Sequence, residues 1–113
     1  MQFTFAAATA AESGALVVGA TEGPELLAAA ARADRASRGA IGRALAASRF
    51  KGKPGQMVQI LAPAGLKVSQ IIVAGLGKAE EFDASAAENL AASALVRLKG
   101  SAETEVVFNL DGL

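Results

Sequence analysis

The basic residues are the most unevenly distributed chemical groups of this chain. Seven of them fall between residues 32 and 53, where Asp34 is the single acid, so this basic segment carries a local charge of +6. Each Lys or Arg that neutralises a phosphate releases counterions and adds salt-dependent affinity, so the segment could follow a nucleic-acid backbone. Four of its residues are candidate contacts with nucleic acid or another partner: Arg43, Arg49, Lys51 and Lys53.

A solvated protein surface, or a rim that pairs with acids elsewhere, explains the same charges. Phe50 is the only aromatic residue of the basic segment, whereas proteins that bind single strands usually offer several rings on which bases stack. The whole chain has a formal net charge of zero, so no overall field attracts nucleic acid or an anionic membrane. The sequence favours the solvated surface and keeps the nucleic-acid contact as the alternative.

The glycine-rich stretch "VAGLGK", from Val73 to Lys78, is a second candidate site. It follows a predicted strand and precedes a predicted helix, where backbone N–H groups can bind phosphate. It lacks the third glycine of a dinucleotide fingerprint, and Ala79 stands where a P-loop has Ser or Thr. Glu80 and Glu81 would repel an anion. The pattern therefore favours a tight turn, and recognition of ADP-ribose through "GLGK" is the weaker alternative.

Groups that commonly do catalysis at neutral pH are missing. The chain has no Cys and no His, which excludes disulfides, a thiol nucleophile, imidazole catalysis and metal binding by thiolate or imidazole. Its acidic residues form no metal-binding pair on one helix face, apart from residues at a predicted helix start, where capping is the better explanation. No serine has a candidate base. We therefore predict no catalytic, cofactor-binding or metal-binding residue.

The predicted elements that position these residues form a single α/β domain. Apolar runs, continuous or alternating, predict strands at "QFTF", "ALVVG", "MVQIL", "QIIVAG" and "TEVVFNL". The first helix should begin at Pro24 and run through residues 25–35, with Leu26, Leu27 and Ala30 facing inward. The order β-β-α-α-β-β-α-β predicts a mixed sheet flanked by helices.

Two further helices complete the prediction. Ser37 should cap the second, "RGAIGRALAAS", in which Ile41 and Leu45 share a face. Asp83 or Ser85 should cap the third, which has an apolar stripe that includes Leu90, Ala94 and Leu98. The stretch "SRFKGKPGQ" should then connect the second helix to the strand "MVQIL", with a corner at Pro54 and Gly55.

The N-terminal sequence bears on localisation. The stretch "MQFTFAAATAAESG" lacks the basic and continuous apolar regions of a signal peptide, and no stretch approaches the roughly 18 apolar residues of a membrane span. We therefore expect a cytoplasmic protein that is not inserted in a membrane.

Four stretches, in this order, carry a family resemblance: "ALVVG", "ALAASRFKGKPGQ", "PAGLKVSQIIVAGLGKAEEFD" and "TEVVFNLDGL". Together they resemble the N-terminal domain of the leucyl aminopeptidase (cytosol aminopeptidase) family. The resemblance covers essentially the whole chain, residues 1–113. It implies a macro-domain-like α/β fold and a single non-catalytic N-terminal domain, whose catalytic C-terminal partner is absent from this chain.

The same resemblance implies a cellular and chemical context. The family comprises cytoplasmic metalloexopeptidases that assemble as homohexamers and use two divalent metals, typically zinc or manganese, to release N-terminal residues from peptides. The family's "NTDAEGR" motif lies in the catalytic domain and matches no position here, so this chain should be inactive alone and serve assembly or access to the active site. Some bacterial members are reported to bind DNA, and the basic segment is where such a role would lie.

Overall fold

A mixed β-sheet with helices on both faces forms the domain. The computed structural model describes residues 2–5, 14–99, 105–110 and 112, with side chains described from residue 14 onward. Its strands are β1 (Gln2–Phe5), β2 (Ala15–Thr21), β3 (Glu25–Leu26), β4 (Met57–Leu61), β5 (Gln70–Gly75) and β6 (Glu105–Phe108). Its helices are α1 (Ala28–Ala36), α2 (Ala40–Ala47) and α3 (Ala84–Leu98), with a 3₁₀ turn at Ala79–Glu81. The predicted α/β class and all five predicted strands are confirmed.

The strand order is β1-β6-β2-β5-β4, and the short β3 pairs with the end of β2. Strands β1, β6, β2 and β5 are parallel, whereas β4 runs antiparallel to β5. Strand β5 lies between β2 and β4. Because β2 and β5 are parallel neighbours, the loops that follow them leave the same end of the sheet.

Side chains of the interior strands alternate between two hydrophobic clusters. Leu16 and Val18 of β2 pack with α1 and α2, while Val17 packs with α3 on the opposite face. Strand β5 alternates in the same way, and every one of its residues is buried. Burial on both faces explains why these strands have continuous apolar runs in the sequence.

The predicted start of the first helix is wrong. Glu25 and Leu26 extend antiparallel beside the end of β2 as β3, and the helix begins only at Ala28. The Leu27 N–H still donates to Gly19 O, at 3.1 Å, so pairing with β2 overrides the preference of Pro24 for a first helical turn. The inward faces of Leu27 and Ala30 are confirmed, and Leu26 packs at the edge of the core.

The predicted Ser37 cap of the second helix is also wrong. Ser37 is buried and its Oγ donates backwards to Ala33 O, at 2.7 Å. Gly39 occupies the N-cap position of α2 without a side-chain hydrogen bond, and Asp34 Oδ1 accepts from Gly42 N–H instead, at 2.8 Å. An acid of α1 therefore satisfies the first turn of α2. The predicted burial of Ile41 and Leu45 is confirmed.

Helix α3 matches its prediction, and its cap is Asp83 rather than Ser85. Asp83 Oδ1 accepts from Ala86 N–H at 2.9 Å, while Ser85 is exposed inside the first turn. The apolar stripe buries Leu90, Ala94 and Leu98 against the sheet.

Candidate functional site

The two glycine-rich stretches of the sequence meet at one end of the sheet. The loop of residues 51–56 precedes β4, and residues 76–78 follow β5. Gly75 N–H donates to Gln56 O and Gly77 N–H donates to Gly52 O, both at 2.8 Å. Stretches that are about 20 residues apart in the sequence are therefore joined by backbone hydrogen bonds.

A third segment, the turn that follows β2, joins the same network. Glu22 N–H donates to Gly77 O at 3.0 Å, and Gly23 N–H donates to Lys51 O at 3.1 Å. We call residues 21–23, 51–56 and 75–78 the loop junction. Its three segments hold together the C-terminal ends of β2 and β5 and the N-terminal end of β4.

Two glycines allow the close backbone approach in the loop junction. A Cβ atom on Gly52 would lie 2.1 Å from Thr21 O, and one on Gly75 would lie 2.1 Å from Lys53 O. Gly52 also has a φ of +82°, which L residues rarely adopt. Gly52 of "KGKPG" and Gly75 of "VAGLG" are thus required by packing of one backbone against another.

Gln56 holds the loop before β4 in its folded shape. Its Oε1 accepts from Lys51 N–H at 2.9 Å and from Lys53 N–H at 3.1 Å, and its own N–H donates to Lys53 O at 3.1 Å. The side-chain oxygen is therefore fully engaged, and the Nε2 group has no hydrogen-bond partner among the residues that the structure describes.

The backbone donors that a phosphate loop would need are already used. The N–H groups of Gly75, Leu76 and Gly77 donate to Gln56 O, Ala20 O and Gly52 O. A cavity of about 130 Å³ between this loop and α3 is lined mainly by apolar side chains, among them Met57 and Phe82, and by no charged residue. Residues 76–83, which include the 3₁₀ turn at Ala79–Glu81, connect β5 to α3. The interpretation as a tight turn stays a prediction, and nothing in the described residues favours binding of ADP-ribose.

The four candidate contact residues are all exposed. Arg43 Nη1 donates to Arg38 O at 2.6 Å. Arg49 lines a groove of about 290 Å³, whereas Lys51 lines a different groove of about 410 Å³ beside α2. Lys53 belongs to the loop junction. The role of these residues in contacting a partner stays a prediction.

Phe50 does not offer a surface on which a base could stack. Its side chain is only 5% exposed and packs in the hydrophobic cluster beneath α1 and α2. The aromatic residue of "SRFKGK" is therefore part of the core and anchors the loop between its charged neighbours.

The acidic side chains that the structure describes do not fit a two-metal centre. Within the ranges that the structure describes, no group of three or more Asp or Glu residues converges so as to hold a metal ion. Asp34 and Asp83 accept from N–H groups in the first turns of α2 and α3. Their position is accounted for by helix stabilisation.

Sequence reasoning missed Arg97 and Gln56. Arg97, in the last turn of α3, lines the same groove as Arg49, together with Gln56 and Met57. In the sequence Arg97 reads as an exposed helical residue, and no local pattern connects it to Arg49. Only the packing of α3 against the start of β4 brings the two arginines to one groove.

These features define the class of the protein as a mixed-sheet α/β domain, with helices on both faces and a loop junction that is joined by backbone hydrogen bonds. Its residues 17–113 match the family model described as "Cytosol aminopeptidase family, N-terminal domain". The chain therefore belongs to the cytosol aminopeptidase family, within which it corresponds to the N-terminal domain.

Curated relatives agree with this assignment. The chain is 38% identical over 101 residues to the "Probable cytosol aminopeptidase" of Caulobacter vibrioides, a match that covers 89% of this chain and 20% of the relative. The protein of the same name from Xanthobacter autotrophicus is 38% identical over 113 residues, with 96% and 22% covered. That of Ralstonia nicotianae is 34% identical over 103 residues, with 91% and 20% covered. The chain thus spans about a fifth of the length of these relatives.

Proposed function

We propose that this chain is the non-catalytic N-terminal accessory domain of a leucyl aminopeptidase, an exopeptidase that releases N-terminal amino acids from peptides. The observation that carries the proposal is the match of residues 17–113 to the N-terminal domain of the family. The lack of His and Cys, and the coverage of only about a fifth of the relatives, support the assignment of catalysis to a separate C-terminal domain.

Two divalent metals, zinc or manganese, would belong to that catalytic domain. In a two-metal hydrolase the ions activate water and polarise the scissile carbonyl. The described residues of this chain offer no converging set of acidic ligands, so no step of the reaction is assigned to them.

The accessory role that we propose is assembly of a cytoplasmic homohexamer, or control of access to the active site. The catalytic domain of the same polypeptide would be the first partner. Val96 of α3 is 72% exposed, and packing against such a partner would cover it. None of the helices in the described ranges is long and apolar enough to cross a bilayer, which is compatible with the cytoplasmic setting.

Deletion of residues 1–113 from the full-length enzyme tests the accessory role. Sedimentation velocity should show that the shortened protein no longer forms the hexamer of the intact one, while each remaining chain keeps its bound metals. The matched control is a full-length Val96→Ser variant, which retains the domain and should still assemble at high protein concentration. A shortened protein with unchanged assembly and unchanged turnover of peptides would contradict the proposal.

A nucleic-acid-binding role is the second candidate. The observation that favours it is that all seven cations of the basic segment are exposed. Mobility-shift assays at two salt concentrations test it, because phosphate contacts weaken steeply as salt rises. Charge reversal at Arg49, Lys51 and Lys53 should abolish the shift, whereas reversal at the exposed Lys67 should leave it. Binding that survives the triple reversal would reject this surface.

A further inference from the structure

Strand β4 leaves one of its edges unpaired in the part of the chain that the structure describes. It pairs with β5 on one side and is the last strand of the order. Gly75 N–H donates to Gln56 O at one end of this ladder, and Ala62 N–H donates to Ser69 O at the other. Because hydrogen-bonded pairs alternate along an antiparallel ladder, the backbone groups of Met57, Gln59 and Leu61 point away from β5. We call these groups the outer edge.

The outer edge lacks the usual protection against pairing with another chain. The strand "MVQIL" contains no charged residue and no proline, both of which commonly block an edge. Leu61, at its end, is 71% exposed. An extended segment can therefore pair with this edge through main-chain hydrogen bonds.

Two arginines flank the start of the outer edge, one on each face of the sheet. Arg49 follows α2, whereas Arg97 belongs to α3, and the groove of about 290 Å³ that they share is lined by Met57 and Val58. Met57 faces the α3 side, and Val58 faces the α1 and α2 side. The groove thus crosses the sheet edge, with an arginine on either face.

The remaining polar groups of this groove favour an anionic ligand. Gln56 lines it, and because Gln56 Oε1 accepts two backbone N–H groups, the amide has its Nε2 donor left. None of the described residues that line the groove is acidic. Two guanidinium groups and an amide donor match carboxylate oxygens in charge and in hydrogen-bonding type.

We infer that the outer edge binds an extended acidic peptide as an additional strand. Successive side chains of a strand point to opposite faces. Two adjacent acidic residues of the peptide would therefore reach Arg49 on one face and Arg97 on the other. The recognised segment is an extended stretch with two neighbouring carboxylates followed by apolar residues that cover Leu61.

A peptide fits this surface better than a second copy of the chain or a nucleic acid. Pairing of two β4 strands would place uncharged residues beside the arginines, and the segments that flank β4 contribute Lys53 and Lys67 rather than acids. Binding of a single-stranded nucleic acid usually needs exposed rings, and Phe50 is buried. Neither alternative occupant satisfies both guanidinium groups and the outer edge.

Fluorescence anisotropy with a labelled eight-residue peptide tests the charge requirement. The peptide carries two adjacent glutamates between stretches of alternating valine and threonine, and the matched peptide carries glutamines instead. The glutamate peptide should bind the chain at least about tenfold more tightly, and Arg49→Glu combined with Arg97→Glu should remove that preference. Reversal at Arg35, which is exposed on α1, is the matched control and should leave binding unchanged.

Amide hydrogen exchange tests the strand pairing. The peptide should slow exchange at Met57, Gln59 and Leu61 and change it little at Val58. Gln59→Pro removes the central outward N–H and should weaken binding about tenfold. Gln59→Ala is its control, since it also loses the side-chain hydrogen bond to Gln70 but keeps the N–H.

The inference fails on any of four results. These are equal affinity for the glutamate and glutamine peptides, binding that survives the double charge reversal, unchanged exchange at the outer edge, and protection of that edge by dimerisation without peptide. Displacement of the peptide from the outer edge by a single-stranded oligonucleotide at lower concentration than the peptide itself would also overturn it.

Discussion

At the scale of single residues, the loop junction depends on two glycines, which have no Cβ atom to obstruct the neighbouring backbone. Gly52 lies where a Cβ atom would meet Thr21 O, and Gly75 lies where one would meet Lys53 O. The sequence marks these positions as glycine-rich turns, but it does not show that the turns are packed against each other. That contact joins residues distant in the chain, so only the folded structure reveals why these particular glycines are required.

Gly52→Ala should destabilise the domain much more than Gly55→Ala. Both glycines have positive φ, +82° and +87°, so both substitutions carry the backbone cost of about 1 kcal/mol. Only Gly52 has a backbone atom in the way, because nothing lies within 4 Å of a Cβ on Gly55. Urea denaturation should show a loss of free energy of unfolding at least about 2 kcal/mol larger for Gly52→Ala. Equal losses would show that the junction is not tightly packed.

Phe50→Ala tests the placement of the aromatic ring. Because the side chain is buried in the core, the substitution should lower the free energy of unfolding by about 3 to 5 kcal/mol, measured by thermal or urea denaturation. Phe50→Leu, which refills most of the space, is the control and should cost considerably less. A loss below about 1 kcal/mol for Phe50→Ala would mean that the ring lies on the surface.

At the scale of elements, local patterns predicted the strands and α3 well. They failed where contacts between residues distant in the sequence determine how an element begins. The apolar runs of β2 and β5 are strong signals because burial on both faces requires continuous apolar residues. The stripe of α3 is a strong signal because burial on one face imposes the helical period. Pro24 and Ser37 looked like helix starts by themselves. Glu25 and Leu26 instead pair with β2, and Asp34 takes over the capping of α2, contacts that no local window contains.

Asp83→Ala should lower the free energy of unfolding by about 1 kcal/mol, because it removes the acceptor for Ala86 N–H at the start of α3. Ser85→Ala is the matched control. Its hydroxyl is exposed inside the first turn and does not cap the helix, so the change should lie within about 0.5 kcal/mol of zero. Differential scanning calorimetry of the two variants measures the difference. A larger loss of stability for Ser85→Ala than for Asp83→Ala would show that Asp83 is not the cap of α3.

At the scale of the whole molecule, the cations of the basic segment are all exposed and lie on different elements. Arg43 is tied to Arg38 O, Arg49 faces a groove with Arg97, and Lys51 lines another groove. The sequence revealed the local excess of charge and the family, but it could not assign the cations to surfaces, since that depends on how α2 and α3 pack on the sheet. The chain spans about a fifth of the length of the relatives that it matches.

The central claim is that this chain carries no peptidase site of its own. The most direct measurement is hydrolysis of a leucyl chromogenic amide by the purified 113-residue chain in the presence of manganese, beside the full-length Caulobacter vibrioides relative as the positive control. We predict a rate equal to that of buffer with manganese alone. Turnover that rises in proportion to chain concentration and remains after repurification would contradict the account.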